Sequence, residues 1–127
     1  MHPESADRQI TVLAVDDEEL ILDLLVEFLA ELGYSAVSAE NGVRALAFLT
    51  AGREVDLLIT DVRMPGMSGI EVARKARELQ PNLPILFVSG YAPEFYGTNL
   101  NLDAATAMLT KPFTLDRLAK AIDKVLH

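Results

Sequence analysis

Asp16, Asp17 and Glu18 stand in a row directly after the apolar run "ITVLAV", residues 10–15. Asp61 comes directly after "VDLLIT", residues 55–60, and Ser89 closes "ILFVS", residues 85–89. Lys111, followed by Pro112, comes just beyond "TAML", residues 106–109. Every one of these polar groups sits at the C-terminal end of a short apolar stretch. Three aspartates packed together repel one another, which raises and couples their pKa values unless a cation intervenes. Hard oxygen ligands with no His or Cys among them select Mg2+ or Mn2+ over zinc. The two histidines, His2 and His127, lie at opposite ends of the chain and are read as incidental. A lysine opposite such a cation, with a serine hydroxyl beside it, makes a clamp for a phosphoryl group rather than for a sugar or a hydride. One carboxylate at the centre of the clamp has the chemistry of a nucleophile that forms an aspartyl phosphate.

Taken singly, each residue has a plainer use. Asp16 and Asp17 could cap a helix. Asp61 could serve the turn before "MPG", and Ser89 before Gly90 could do the same. A lone lysine is normally a solvated surface charge. It is the joint pattern, one group past each apolar run, that needs a common explanation.

The elements that must position these groups alternate along the chain. The runs at 10–15, 35–39, 55–60, 85–89 and 106–109 read as strands. Between the first two, Ile21, Leu24, Leu25, Phe28 and Leu32 recur at helical spacing and Gly33 stops them. Asn41 is placed to cap a helix through Leu49. Ser68 and Glu71 have capping-box spacing and open a helix to about Gln80, with Pro81 beyond. Thr114 caps a last helix with Leu115, Leu118, Ile122 and Leu126 on one face. A further helix belongs in 92–105, where Gly97 and two asparagines make it short or irregular. Strand–helix alternation with right-handed crossovers predicts a doubly wound α/β fold, a parallel sheet covered on both faces. In such a sheet the site lies outside the carboxyl ends of the strands, where all the candidate residues fall.

Composition narrows the function. A chain of 127 residues fits one domain, with residues 1–8 as a polar frayed tail and 9–127 as the folded part. Half the residues are apolar and 24% are charged, which is ordinary for a soluble domain. No apolar run has transmembrane length, and the N-terminus lacks the basic and apolar regions of a signal peptide. The absence of cysteine excludes disulfide and thiol chemistry and agrees with a cytoplasmic setting. A net charge of −8 disfavours direct binding to nucleic acid and to anionic membranes.

With "VDDEE", "LLITDVRMPGMSGIE", "FVSGYAPE" and "LTKPF" on the page, the sequence resembles a receiver domain of a two-component response regulator from about Thr11 to Leu126. The resemblance implies a flavodoxin-like fold, with five parallel strands in the order 2-1-3-4-5. It implies Asp61 as phosphoacceptor and Mg2+ held by Asp16, Asp17, Asp61 and the backbone carbonyl of Arg63. Asp17 and Asp61 would ligate directly and Asp16 through water. It implies Ser89 and Lys111 as phosphoryl contacts and a cis Lys111–Pro112 bond. It implies a histidine kinase or histidine phosphotransfer protein as donor, and a protein partner or fused domain as output. The expected state is a monomer or weak dimer, either stand-alone or part of a longer protein. It also implies a signalling domain rather than an enzyme, one that assists its own phosphorylation and dephosphorylation. Two positions depart from the family. Met108 stands three residues before Lys111, where an aromatic ring is usual, and Arg63, long and cationic, stands two residues past Asp61.

Three other functions are weighed against this. A haloacid-dehalogenase-type phosphatase would want a second Asp where Arg63 stands. A flavin or nucleotide binder would want a Gly- or Ser-rich loop where "DDEE" stands. A binding module that keeps the fold and loses the switch draws on Met108.

Overall fold

The computed structural model describes residues 9–91, 103 and 105–127. The elements run β1 (Thr11–Val15), α1 (Glu19–Glu31), β2 (Ser35–Ala39), α2 (Gly42–Thr50) and β3 (Leu57–Asp61). They continue with α3 (Gly69–Leu79), β4 (Ile85–Ser89), β5 (Thr106–Thr110) and α4 (Leu115–Leu126). The expected tail at 1–8 and nearly all of the expected helix in 92–105 lie outside the described residues.

All five strands are parallel, in the order β2-β1-β3-β4-β5. This is the flavodoxin-like order. Side chains alternate across the sheet, as a period of two requires. Leu13, Val15, Leu58, Ile85 and Phe87 face a layer that contains Ala45 and Leu49 of α2 and Val72 and Ala76 of α3. Val12, Ala14, Leu57, Ile59, Leu86 and Val88 face the opposite layer, against Leu22, Leu25 and Leu29 of α1 and Leu118 and Ile122 of α4. Both faces of β3 and β4 are buried, so their sequences are continuously apolar rather than alternating. Fully burying each Leu or Ile contributes roughly 1.5–3 kcal/mol. That makes the central strands the rigid part of the molecule.

The helix starts follow the expected caps. Asn41 Oδ1 accepts from the Arg44 N–H, Ser68 Oγ from that of Glu71, and Thr114 Oγ1 from that of Arg117. In α1 the deepest stripe is Leu22, Leu25 and Leu29. Of the expected stripe Leu25 is buried while Ile21, Leu24, Phe28 and Leu32 are half-buried, so the face is turned by about one residue from the sequence reading.

β3 also differs from expectation. It begins at Leu57 rather than Val55 and includes Asp61. The reason is local. The Gln80 side chain accepts from the Val55 N–H at 3.1 Å and donates to its carbonyl at 2.9 Å. A side chain from the end of α3 has taken the place of a neighbouring strand, so Val55 never joins the ladder. Asp56 then joins β1, its N–H donating to the Thr11 carbonyl and its carboxylate accepting from the Thr11 N–H.

Candidate functional site

The carboxyl ends of β1, β3, β4 and β5 meet at one edge. Asp61 is the last residue of β3, in register with Val88, and Ser89 is the last of β4. Asp16 follows β1 directly, and its N–H donates to the Ala39 carbonyl at the end of β2. Lys111 follows β5, and its N–H donates to the Ser89 carbonyl at 2.7 Å. The Lys111–Pro112 peptide is cis.

The loop after Asp61 is shaped by two glycines. Gly66 has φ +79°, a left-handed conformation that costs an L-residue energy. Gly69 serves a different end. A Cβ there would overlap the Asp61 carbonyl oxygen. Its N–H donates to the Val62 carbonyl at 2.8 Å. The first turn of α3 is therefore packed directly on the main chain that carries Asp61.

The side chains converge on the Lys111 ammonium. Nζ lies 3.1 Å from Asp16 Oδ2, 3.2 Å from Glu18 Oε1 and 3.3 Å from Asp61 Oδ2. Asp16 has no exposed surface and Asp61 almost none. Burial pushes the Asp16 carboxyl above its ordinary pKa, against the pull of the Glu18 N–H and of Lys111. Asp61 is raised for the same first reason, with Lys111 opposing and Asp16 adding to the rise. Burial alone would lower Lys111, but the charges of Asp16 and Asp61 outweigh it and raise the ammonium's pKa. The site thus holds more negative charge than one lysine balances.

Asp16 Oδ1 accepts from the Glu18 N–H at 2.9 Å, so the plainer turn use of Asp16 is present too. Its other oxygen, Oδ2, is buried and makes no hydrogen bond; its geometry to Lys111 is that of an ion pair alone. Carboxylate oxygens of Asp16, Glu18 and Asp61 lie within 4.8 Å of one another. A buried oxygen whose one neighbouring cation is an ammonium shared with two further carboxylates belongs to a donor set that suits a hard divalent cation. Asp17, by contrast, is exposed and falls outside this cluster. Glu18 was legible as the third acid of "DDE", but its long side chain, not its position, brings it to Lys111.

Asp61, Glu18, Lys111 and Ser89 line an open pocket of about 250 Å3, together with Arg63, Gly90 and Tyr91. Ser89 Oγ accepts from the Tyr91 N–H at 3.0 Å. Five of the six sequence-predicted residues (Asp16, Asp61, Arg63, Ser89 and Lys111) are brought together here, and Asp17 is exposed and outside the group.

Fold and site together define a class: a doubly wound domain with an acidic pocket and one lysine at the strand ends. The chain matches the response regulator receiver domain family over residues 12–123 and belongs to that family. It is 35% identical to the response regulator receiver protein CpdR of Brucella abortus, over 91% of this chain and 95% of that protein. It is 39% identical to the sensor kinase CckA of the same organism, over 92% of this chain but only 12% of the kinase. Among solved structures, the response regulator TrrA of Thermotoga maritima, in complex with Mg2+ and BeF, superposes with a TM-score of 0.81. It shares 37% identity, covering 93% of this chain and all of that one. The protein is thus a receiver domain of two-component signalling, a family whose members include stand-alone regulators and domains of sensor kinases. Among the described residues no helix is long and apolar enough to cross a membrane.

Proposed function

We propose that Asp61 accepts a phosphoryl group from the phosphohistidine of a histidine kinase or histidine phosphotransfer protein, and that the chain signals by the resulting change in shape. The carrying observation is the convergence of three carboxylates, Asp16, Glu18 and Asp61, on the single ammonium of Lys111, with Asp16 and Asp61 buried. An Asp61 oxygen forms the new O–P bond as the donor's N–P bond breaks, and the imidazole leaves. Lys111, freed from Asp61 Oδ2, pairs with a phosphoryl oxygen. Ser89 turns its hydroxyl from the Tyr91 N–H toward the same group. Asp16, Asp17, Asp61 and the Arg63 carbonyl hold Mg2+ in this reading, with Mn2+ as a substitute of the same ligand preference. The bound cation neutralises the carboxylates and the charge that develops on the transferring group. Hydrolysis of the acyl phosphate by water, assisted by the same groups, resets the domain. A phosphohistidine donor works where ATP is available, so a cytoplasmic setting is part of this reading.

The test is intact mass after incubation with acetyl phosphate, for the parent and for Asp61→Asn, with Mg2+ or with a chelator. The expected result is a gain of one phosphoryl group that needs both Asp61 and Mg2+. An equal gain in Asp61→Asn would overturn the assignment.

A further inference from the structure

Among the described residues the buried polar or charged side chains are Asp16, Thr60, Asp61, Ser89 and Thr106. Asp16, Asp61 and Ser89 belong to the site. The Thr106 hydroxyl donates to Asp103 and accepts from Arg77. Thr60 has no exposed surface and neither of these uses. It is in register with Val15 of β1 on one side and Phe87 of β4 on the other. Both belong to the apolar layer of α2 and α3, so the Thr60 side chain points into that layer too. A hydroxyl in such a layer costs free energy unless it is hydrogen-bonded, and valine has nearly the same shape without that cost.

The Thr60 hydroxyl donates to the Asp61 carbonyl at 2.9 Å. That carbonyl lies where the sheet gives out. The register of β1 with β3 stops at Val15 and Thr60, one residue short of Asp61. On the other side Asp61 still pairs with Val88 of β4. The first turn of α3 closes on the same carbonyl, since a Cβ at Gly69 would overlap its oxygen. The peptide plane between Asp61 and Val62 is thus held by a hydroxyl from its own strand and abutted by a helix.

We infer that Thr60 is a positioning residue for the phosphoryl chemistry: its hydroxyl fixes the peptide plane after Asp61, and through it the direction of the Asp61 carboxylate. The inference rests on the phosphoacceptor reading of Asp61 and adds a residue that never touches the phosphoryl group. The Asp61 carboxylate and the Arg63 carbonyl, both in the proposed Mg2+ ligand set, lie on either side of that plane along the chain. A rotation of the plane changes the distance between them. Group transfer is steeply sensitive to such shifts, and a misplacement of about 1 Å can cost on the order of a hundredfold in rate. A hydroxyl on the covered face of the sheet therefore reaches the reaction through the main chain.

The test compares Thr60→Val, which removes the hydroxyl and keeps the shape, with Thr60→Ser, which keeps the hydroxyl and removes a buried methyl. Two quantities are read on the full chain with Mg2+: Tm, and the rate at which intact mass gains a phosphoryl group, as a function of acetyl phosphate concentration. Thr60→Val is expected to lower the maximal rate about tenfold and leave the half-saturating concentration within about twofold of the parent. Thr60→Ser is expected to keep the rate within about twofold of the parent and to be the less stable of the two, because it leaves a cavity. Rate and stability then rank the variants in opposite order, which a merely structural role would not do. If Thr60→Val does not fold, Thr60→Ala against Thr60→Ser isolates the hydroxyl by the same comparison. A hydroxyl-free variant within about twofold of the parent's rate overturns the inference, as does an equal loss of rate in both variants. A parent that gains no phosphoryl group overturns the phosphoacceptor reading itself, and this inference with it.

Discussion

Asp61 is held in a position that opposes its charge. Burial and the neighbouring Asp16 disfavour its ionised form, and Lys111 is shared among three carboxylates. Without a cation, Asp61→Asn is therefore expected to stabilise the fold, because the amide keeps the shape and removes the charge. At pH 7 in chelator the gain should be about 1 kcal/mol. For a domain of this size that is roughly 4 °C in Tm, read by thermal unfolding. Unchanged or lower stability would mean that Lys111 already balances the site. Mg2+ should raise the parent's Tm and leave Asp61→Asn nearly unmoved, since a ligand stabilises only the state that binds it. A second comparison concerns Asp17 and Glu18. The "DDE" triplet was legible in the sequence, and so were Asp61, Ser89 and Lys111, because each lies at the end of an apolar run. Which acid faces inward was not legible, because that depends on side-chain reach. Glu18 spans the gap to Lys111, while Asp17 points to solvent. Asp17→Asn is expected to weaken Mg2+ binding on the order of tenfold, about 1.4 kcal/mol. Glu18→Gln should change it by less than threefold, because the Glu18 side chain is 62% exposed and its charge is screened by solvent, whereas Asp16 and Asp61 are buried. Calorimetric titration gives both numbers, and the reverse order would assign the third ligand to Glu18.

At the scale of the element, the legible features are those with a local cause. Asn41, Ser68 and Thr114 cap the helices they were expected to cap because a side-chain oxygen and the third N–H beyond it are neighbours along the chain. The start of β3 was not legible, because Gln80 is 25 residues away from Val55 and competes only in the folded state. Gly69 belongs to the same group. The sequence marks it as a turn residue, but the reason for glycine is the contact of α3 with the Asp61 carbonyl. Gly69→Ala should therefore push the first turn of α3 away from β3 and shift Asp61. Overpacking of this kind typically costs about 1–3 kcal/mol. Gly66→Ala, strained by its positive φ alone, should cost less, about 1–2 kcal/mol. The two separate functionally. At equal stability, Gly69→Ala should slow the gain of phosphoryl mass from acetyl phosphate more than Gly66→Ala does. Equal rates would mean that α3 does not set the position of Asp61.

For the whole molecule, alternation of short apolar runs with amphipathic helices was enough to give a parallel sheet and its two covers, because such a sheet has few other ways to bury both faces, whereas the strand order followed only from the resemblance to receiver domains. The same arrangement limits where a signal can travel. The sheet separates two core layers, and its central strands are fully buried and closely packed, so they do not deform gradually. Ser89 and Lys111 end the neighbouring strands β4 and β5 and are joined by the Lys111 N–H to Ser89 carbonyl bond. Between those strands Met108 pairs in register with Phe87 and is half-buried against the layer of α2 and α3. A thioether fills that position flexibly and carries no hydroxyl to anchor. A change begun at Ser89 and Lys111 should therefore stay near the ends of β4 and β5 and reach the surface through Tyr91, which is 47% exposed. Hydrogen exchange with and without Mg2+ and beryllium fluoride is expected to change at 85–91 and 106–113. It should stay the same in α1 from Leu22 to Glu31 and in α4 from Leu118 to Leu126, whose apolar faces form the opposite layer. A change spread equally over α1 and α4 would mean that the sheet moves as a unit. No change at 85–91 despite bound mimic would leave a phosphoacceptor with no switch at that edge of the sheet.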